Sequence, residues 1–442
     1  MERTIISDLT KKKGEKVHIS GWVDVRRDHG KLVFLNIRDR GGIVQTIIKG
    51  DLAESDDVAQ LREQWVVNLT GVVNERPDNS KKDEQNGDIE LLIEGVEIVS
   101  QADELPFDMN AELNLGTLLD YRPLTLRTQR ARDIFTVAAT IVQAYRWELI
   151  QNDFMEFQAP ALVGGDAEGG SEVFKVEYFK DKTAFLATSP QLYKEIMTGA
   201  YERAFTIAKI FRAEKSATTR HLTEITQMDF EMSFIKDHTE VMDMLEKVVR
   251  SSCSAVIEKH SDILKRIGTE NPLLPETKFP VLTLLEAQEI IEKEFGGKAI
   301  GELDLEPEHE RQICEWAKKE KGSDFVFITE FPTDKRAFYT YPKPDDPKLS
   351  RSFDLLFRGL EINSGSQRYH NHGEMVAEMQ RRGMDVDQFS FYLQLHKYGI
   401  PPHGGSSTGL ERFTARMLEI DNVKEAVPFP RDMNRIDTRL SE

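Results

Sequence analysis

Five short segments of alternating polarity in the first hundred residues constrain this chain more than any other feature. Val17, Ile19, Val23 and Val25 alternate with polar partners, and Asp28-His29-Gly30-Lys31 reads as a turn. Val33, Leu35 and Ile37 then alternate with Phe34, Asn36 and Arg38. Arg40-Gly41-Gly42 turns again into Ile43-Val44-Gln45-Thr46-Ile47-Ile48. Two further strands run from Trp65 to Val73 and around Ile89-Glu90-Leu91-Leu92-Ile93. So many short strands joined by Gly-containing turns suit a small closed β-barrel.

The barrel, of OB-fold type, is assigned to residues 1–100 and a Pro-containing connector to 101–130. The remainder, 131–442, reads as one larger α+β domain. Helical spacing predicts a helix over 131–151 (Ile134, Val137, Ile141, Tyr145, Leu149) and an amphipathic one over 239–260. The charged stretch to 322 extends the second into a mostly helical insertion at about 236–322. Strands are expected at 325–328 and 352–356, a helix at 373–383, a Gly/Ser loop at 403–409 and a closing helix from Leu410.

The length of 442 residues suits two or three domains, and 39% hydrophobic residues supply a core. No apolar run approaches the roughly 18–20 residues that cross a bilayer, and no secretory leader is visible at the N-terminus. Two cysteines, Cys253 and Cys314, cannot build a metal cluster or a disulfide framework, so a cytoplasmic, reducing setting is expected. The net charge of −18 argues against indiscriminate nucleic-acid binding, but not against local basic patches. There is no G-x-x-x-x-G-K-[ST], and no G-x-G-x-x-G opening a helix after a strand. A bound nucleotide would therefore need other residues for its phosphates.

Three segments supply such residues. Arg212-Ala213-Glu214 and Gln227-Met228-Asp229-Phe230-Glu231 read as two strands joined by a turn bearing Arg220 and His221. Alternation groups the charged side chains, which suits a polyphosphate plus an amine; a solvated charged hairpin is the blander alternative. In 352–368, Asp354 and Glu361 stand in an apolar strand context. With Ser364 they offer hard oxygen ligands suited to Mg²⁺ bridging phosphates. His403-Gly404-Gly405-Ser406-Ser407-Thr408-Gly409 lets a ligand approach the backbone, and Arg412 follows in the first helical turn. In the barrel, Phe34 shares a strand face with Asn36 and Arg38 among Arg26, Arg27 and Lys31. This suits stacking on an RNA base, with Gln45 able to bond a base edge; an ordinary exposed Phe is equally compatible.

Taken in order, these segments resemble a class II aminoacyl-tRNA synthetase of the aspartyl/asparaginyl/lysyl subgroup, most of all its compact archaeal-type aspartyl branch. The helix ending near Pro160 looks like motif 1, Arg212 through Glu231 like motif 2, and Gly409-Leu410-Glu411-Arg412 like motif 3. The resemblance implies an antiparallel catalytic sheet flanked by helices, a homodimer, and attachment of L-aspartate to tRNA(Asp) through an adenylate; it leaves open whether tRNA(Asn) is a second substrate. No membrane or DNA partner is implied. Arg212 would hold the α-phosphate of ATP, alongside Glu214. Arg220 and His221 would take the γ-phosphate, Arg412 the adenine and phosphate side, and Asp354, Glu361 and Ser364 Mg²⁺. Thr188-Ser189-Pro190-Gln191-Leu192-Tyr193-Lys194 looks like the aspartyl enzymes' Ser-Pro-Gln segment. Lys194 and Arg368 would then meet the side-chain carboxylate, while Glu168, Gln191 and Asp229 hold the α-ammonium beside Ser364. Phe34 and Gln45 match the family's anticodon contacts.

Some positions depart from the family pattern. Glu195 occupies the place where asparaginyl enzymes carry a glutamate, Ile225 stands where most relatives have an aromatic, and Ser406-Ser407-Thr408 is poor in glycine for motif 3. The alternatives are an asparagine–tRNA ligase, a catalytically silent RNA-binding paralogue, and an asparagine synthetase on the same core.

Overall fold

The computed structural model describes residues 1–165, 172–213, 215 and 218–440. The chain divides into two compact units, Met1–Ala111 and Glu112–Glu442.

In the first unit, β1 (Lys16–His29), β2 (Leu32–Asp39), β3 (Gly42–Lys49), β4 (Val66–Glu75) and β5 (Ile89–Ser100) close a barrel in the order β1-β2-β3-β5-β4. The alternating aliphatics point inward: Val17, Ile19, Val23, Val33, Leu35, Ile37, Val67, Leu69 and Leu91 form its core. Each such side chain contributes about 1.5–3 kcal/mol on burial. Strands cross closely at Gly71, where an added Cβ would collide with the Leu92 backbone.

The second unit is built on an eight-stranded sheet. In chain order its strands are β6 (Met155–Glu156), β10 (Arg203–Phe211), β11 (Glu224–Ser233), β12 (Val281–Thr283), β13 (Phe325–Thr329), β14 (Ser352–Phe357), β15 (Leu360–Gln367) and β16 (His403–Gly409). Spatially they run β12-β13-β14-β15-β16-β11-β10-β6. The centre is antiparallel, and the outermost pairings, β12 with β13 and β6 with β10, are parallel. Between β6 and β10, the short strands β7 (Leu162–Val163), β8 (Lys175–Tyr178) and β9 (Lys182–Leu186) form a separate small sheet.

Helices Gln129–Gln151 and His238–Ile267 cover one sheet face. The first starts where the Thr128 hydroxyl accepts from the Ala131 amide, and the second ends at Gly268, whose φ of 86° only glycine adopts freely. Ile141, Tyr145, Leu245 and Val249 pack there against Met228, Phe230 and Phe353. Strand alternation therefore sends Gln227, Asp229 and Glu231 to the opposite face. Among the described residues, no helix is long and apolar enough to cross a membrane.

Three sequence expectations need correction. Residues 403–409 are not a loop but β16, hydrogen-bonded on both sides to β11 and β15. Glycine and serine carry little strand propensity, but here small side chains are required: a Cβ on Gly405 would strike the Phe230 carbonyl and the Glu231 carboxylate. The helix expected to stop at 260 is distorted there (His260 φ −138°, ψ 31°) and continues to Ile267. The stretch 236–322 does not stand apart as an insertion. Val241, Leu245 and Val249 belong to the central core, β12 extends the sheet, and helix Pro307–Lys321 buries Ile313 and Ala317 against Val326 and Ile328.

Candidate active site

The sheet face opposite the two long helices carries rows of polar side chains in register. Asp354, Ser364, Ser407 and Asp229 form one row across β14, β15, β16 and β11; Ser352, Ser366, Gly405 and Glu231 form the next. Above them lies a cavity of about 360 Å³. Gln191, Arg212, Arg220, His221, Ile225, Arg336, Glu361, Ser364, Arg368 and Arg412 all line it. In a protein of net charge −18, five arginines around one cavity make a local anion site. Its lining falls into two hydrogen-bonded groups.

The first group is buried and fully paired. Arg368 donates from Nε to Glu231 Oε1 at 2.8 Å and from Nη2 to Oε2 at 3.2 Å, and also bonds Ser366, the Gly405 carbonyl and Gln191 Oε1. Its guanidinium lies over Tyr339, 5.1 Å from the ring centroid. Burial works against its charge, but the Glu231 carboxylate more than offsets this and raises the pKa. Lys194, with no exposed surface, donates to Asp229 Oδ2 at 2.8 Å and to the Ser406 carbonyl at 3.1 Å, and lies 3.4 Å from Glu231. The Ser407 hydroxyl holds the other Asp229 oxygen at 2.7 Å. Behind them, Glu195 accepts from Gln191 Nε2 (2.7 Å) and Tyr392 (2.6 Å), with His403 Nε2 at 3.2 Å. Burial alone would push its carboxyl up. The hydrogen bond and charge of His403, with Arg368 and Gln191, outweigh burial and hold it at about 2.

The second group is more open. Arg412 donates to the Glu361 carbonyl at 3.1 Å and its carboxylate at 3.3 Å. Arg220 bonds Glu310 (2.9 Å) and the Gly359 carbonyl (3.2 Å), and His221 Nδ1 meets the Thr218 hydroxyl at 2.6 Å. A side cavity of about 200 Å³ adjoins, lined by Asp304, Glu310, Asp354, Glu361 and Arg336. Burial, reinforced by the Asp354 charge, pushes Glu361 up to about 7; burial also raises Asp304 and Glu310. Arg336 donates to Asp354 Oδ2 at 2.7 Å and to Ser364 Oγ at 3.4 Å. Asp354 Oδ1 is buried and finds no hydrogen-bond partner among the described residues.

Among the described residues, no set of three or more His, Cys, Asp or Glu side chains is placed to hold a metal ion. The donors that do converge are Asp354, Glu361 and the Ser364 hydroxyl. An unpartnered carboxylate oxygen beside a carboxyl forced toward neutrality is a site short of positive charge. That donor set fits Mg²⁺, which keeps several waters and relies on few protein oxygens.

Of the residues singled out from sequence, Gln191, Arg212, Arg220, His221, Glu361, Ser364, Arg368 and Arg412 line the main cavity, and Asp354 lines its side cavity. Lys194 and Asp229 are expected at the ligand but instead lie beneath the lining, paired with each other; Ser407 covers Asp229. Glu168 and Glu214 lie outside the described residues. Ile225, which departs from the family's aromatic, lines the cavity and gives it an aliphatic wall there. Arg336, Glu310, Tyr339 and Ser366 escape the sequence reading. Glu310 sits on a charged helix that looks like a solvated face, and only the buried Ile313, Cys314 and Ala317, three, four and seven residues further on, mark that helix as packed.

In the barrel, Phe34 pairs across to Arg27 and Ile47, and Asn36 to Gln45, on the outward face. Phe34 is half-buried, with the His29 ring edge-on at 5.6 Å. Gln45 accepts from Arg27 at 3.3 Å and donates to Glu90 at 3.5 Å.

Comparison with known proteins places both units. Residues 17–99 match the family of OB-fold nucleic acid binding domains, and residues 114–433 match the class II tRNA synthetases described as D, K and N. The aspartate–tRNA(Asp/Asn) ligase of Thermus thermophilus is 40% identical over 438 residues, covering 98% of this chain and 99% of that protein. The aspartate–tRNA(Asp) ligase of Thermoplasma acidophilum is 36% identical over 441 residues, covering 99% and 100%. The asparaginyl-tRNA synthetase of Pyrococcus horikoshii, solved with asparaginyl-adenylate, superposes with a TM-score of 0.90 at 30% identity, covering 99% of each chain. An antiparallel sheet bearing an arginine-lined cavity, together with an OB barrel, defines an aminoacyl-tRNA synthetase of class II. The chain belongs to the D, K and N group of that class, enzymes that use ATP to attach an amino acid to tRNA.

Proposed function

We propose that this protein attaches L-aspartate to tRNA(Asp), and also to tRNA(Asn), through an aspartyl-adenylate. The observation that carries the amino-acid choice is the buried cation pair, Arg368 in the cavity wall and Lys194 directly beneath it. An aspartate carboxylate accepts charge-assisted hydrogen bonds from the Arg368 guanidinium, whereas an asparagine amide brings an N–H group or a neutral oxygen to it. A hydrogen bond to a charged group is worth about 1.5–3 kcal/mol, roughly 10–100-fold in affinity. Arg368 is the direct contact for the side-chain carboxylate. Gln191 and Asp229, the latter reached past Ser407, serve the α-ammonium, together with Glu168.

The asparagine reading rests on Glu195 and on similarity of fold to an asparaginyl enzyme. Glu195 does not line the cavity, and its two oxygens are already taken by Gln191, Tyr392 and His403. Those three partners hold it behind the lining, away from the ligand's side chain, which favours aspartate.

For the first step, the α-carboxylate of aspartate attacks the α-phosphorus of ATP and pyrophosphate leaves. The attacking carboxylate is already ionised at neutral pH, so no general base is needed. The work is positioning and charge neutralisation. Arg212 holds the α-phosphate, Glu214 also serves ATP, Arg220 and His221 take the γ-phosphate, and Arg412 the adenine and phosphate side. Asp354, Glu361 and Ser364 would hold Mg²⁺, which supplies positive charge to the phosphates. In the second step the acyl group passes to the 3′ end of the tRNA. Phe34 stacks on an anticodon base and Gln45 bonds its edge, a contact worth roughly 1–3 kcal/mol for the stacking. The helix Gln129–Gln151 exposes Trp147 and Ile150, which supports a homodimer through that surface.

Pyrophosphate exchange into ATP that depends on aspartate is the expected result; exchange dependent on asparagine alone overturns the assignment. Charging of separate tRNA(Asp) and tRNA(Asn) transcripts tests the second half. Failure with tRNA(Asn) restricts the enzyme to tRNA(Asp).

A further inference from the structure

Arg336 belongs to none of the segments that drew attention in the sequence, yet its guanidinium stands at the wall between the main cavity and the acidic side cavity. It makes two contacts with the metal-binding set: Nη2 to Asp354 Oδ2 at 2.7 Å and Nη1 to Ser364 Oγ at 3.4 Å. Asp354 is thereby divided. One oxygen is occupied by arginine, and the other, Oδ1, is buried with no partner among the described residues. A carboxylate held by one oxygen presents the other in a fixed direction.

The arginine is itself firmly held. Its guanidinium lies over the Phe331 ring, 3.7 Å from the centroid. Its backbone carbonyl accepts from Arg382 Nη1 at 2.7 Å, and the Thr333 carbonyl accepts from Nη2 of the same side chain at 3.0 Å. Arg382 is fixed in turn by Glu378 at 2.7 Å. This chain of contacts runs from the helix His372–Arg381 to the site and leaves Arg336 little freedom to swing. It is built as a support for the carboxylate rather than as a mobile stand-in for the ion.

We propose that Arg336 is a positioning residue for the divalent cation: by fixing Asp354 through Oδ2 it presents Oδ1 as the ligand atom. The inference rests on the nucleotide-and-magnesium reading above. Arg336 acts mainly through Asp354, so its loss weakens the metal far more than it weakens aspartate binding.

The test uses Mn²⁺ as the probe, with the full-length protein and ATP present and aspartate omitted so that no turnover occurs. Bound and free Mn²⁺ are separated by electron paramagnetic resonance. Arg336→Met is expected to weaken Mn²⁺ about 10–100-fold, with aspartate affinity, measured calorimetrically without nucleotide, changed far less. Arg336→Lys, which restores charge but not the two-pronged grip, recovers part of the loss. Arg382→Gln, which frees the loop backbone and leaves Arg336 in place, gives a smaller loss in the same direction. These two variants carry the test should Arg336→Met fold poorly. Unchanged Mn²⁺ affinity in the variants overturns the proposal, and so does tighter binding, which would mark Arg336 as a competitor of the ion. Absence of ATP-dependent Mn²⁺ binding in the unmodified protein overturns the nucleotide reading as well.

Discussion

The two groups of charges in the cavity are built on opposite plans. Around Arg368, each cation has its anion: Glu231 for the guanidinium, Asp229 for Lys194, and Glu195 closed by three donors. Around Glu361, acids outnumber their partners, so Asp354 keeps an unpartnered oxygen and Glu361 is pushed up to about 7. The paired group is what a selective amino-acid pocket needs, since fixed charges discriminate between ligands only if they do not relax toward them. The short-charged group is what a site for a cation-bearing polyphosphate needs, since the missing positive charge arrives with the ligand. Rigidity and charge deficit thus sit side by side on one sheet face.

The largest test breaks the paired group. Lys194→Ala removes a cation with no exposed surface and strands Asp229, whose only ion pair it is among the described residues. Unfolding free energy should fall by about 3–5 kcal/mol in urea titration, and aspartate-dependent exchange should be lost. A change under 1 kcal/mol would show that the group is not tightly coupled. Gly405→Ala attacks the same group through its backbone, because the new methyl collides with the Phe230 carbonyl and Glu231. It should cost about 1–3 kcal/mol and raise the Michaelis constant for aspartate more than that for ATP.

The open group should respond the other way. Arg220→Ala removes a partly exposed ion pair with Glu310. Stability should change by less than about 1 kcal/mol, while affinity for ATP falls roughly 10–100-fold, the worth of a charged hydrogen bond to phosphate. Equal losses in stability and ATP affinity would erase the contrast between the two groups.

Much of this was legible in the sequence where chemistry and periodicity coincide. The barrel strands alternate cleanly because one face is core and the other solvent. Arg212 and Glu361 stand out because charge is out of place in a strand-like run, Arg220 because it sits on the turn between two charged strands, and Arg368 through the family resemblance. Legibility fails where one signal masks another. β16 reads as a loop because its glycines and serines, demanded by crowding against β11, carry no strand signal. Arg336 lies in an aperiodic segment between β13 and β14, and only folding brings it to Asp354. Lys194 was found, but its depth was not: a helix residue facing the sheet gives no hint whether its ammonium reaches the cavity or stops beneath it.

Glu195 gives the finest test of the paired group, because its state reports whether that group is closed. Its carboxyl lies at about 2 in the fold against an ordinary 4.5. The ionised form therefore stabilises the fold above pH 4.5, and this contribution fades as pH falls from 4.5 through 2. Glu195→Gln removes the charge at every pH. The variant should be less stable than the unmodified protein at pH 6, and the gap, followed by urea denaturation, should narrow steadily below pH 4.5. A gap that stays constant on acidification would mean that Glu195 contributes hydrogen bonds alone, and that the charge of His403 and Arg368 is not coupled to it.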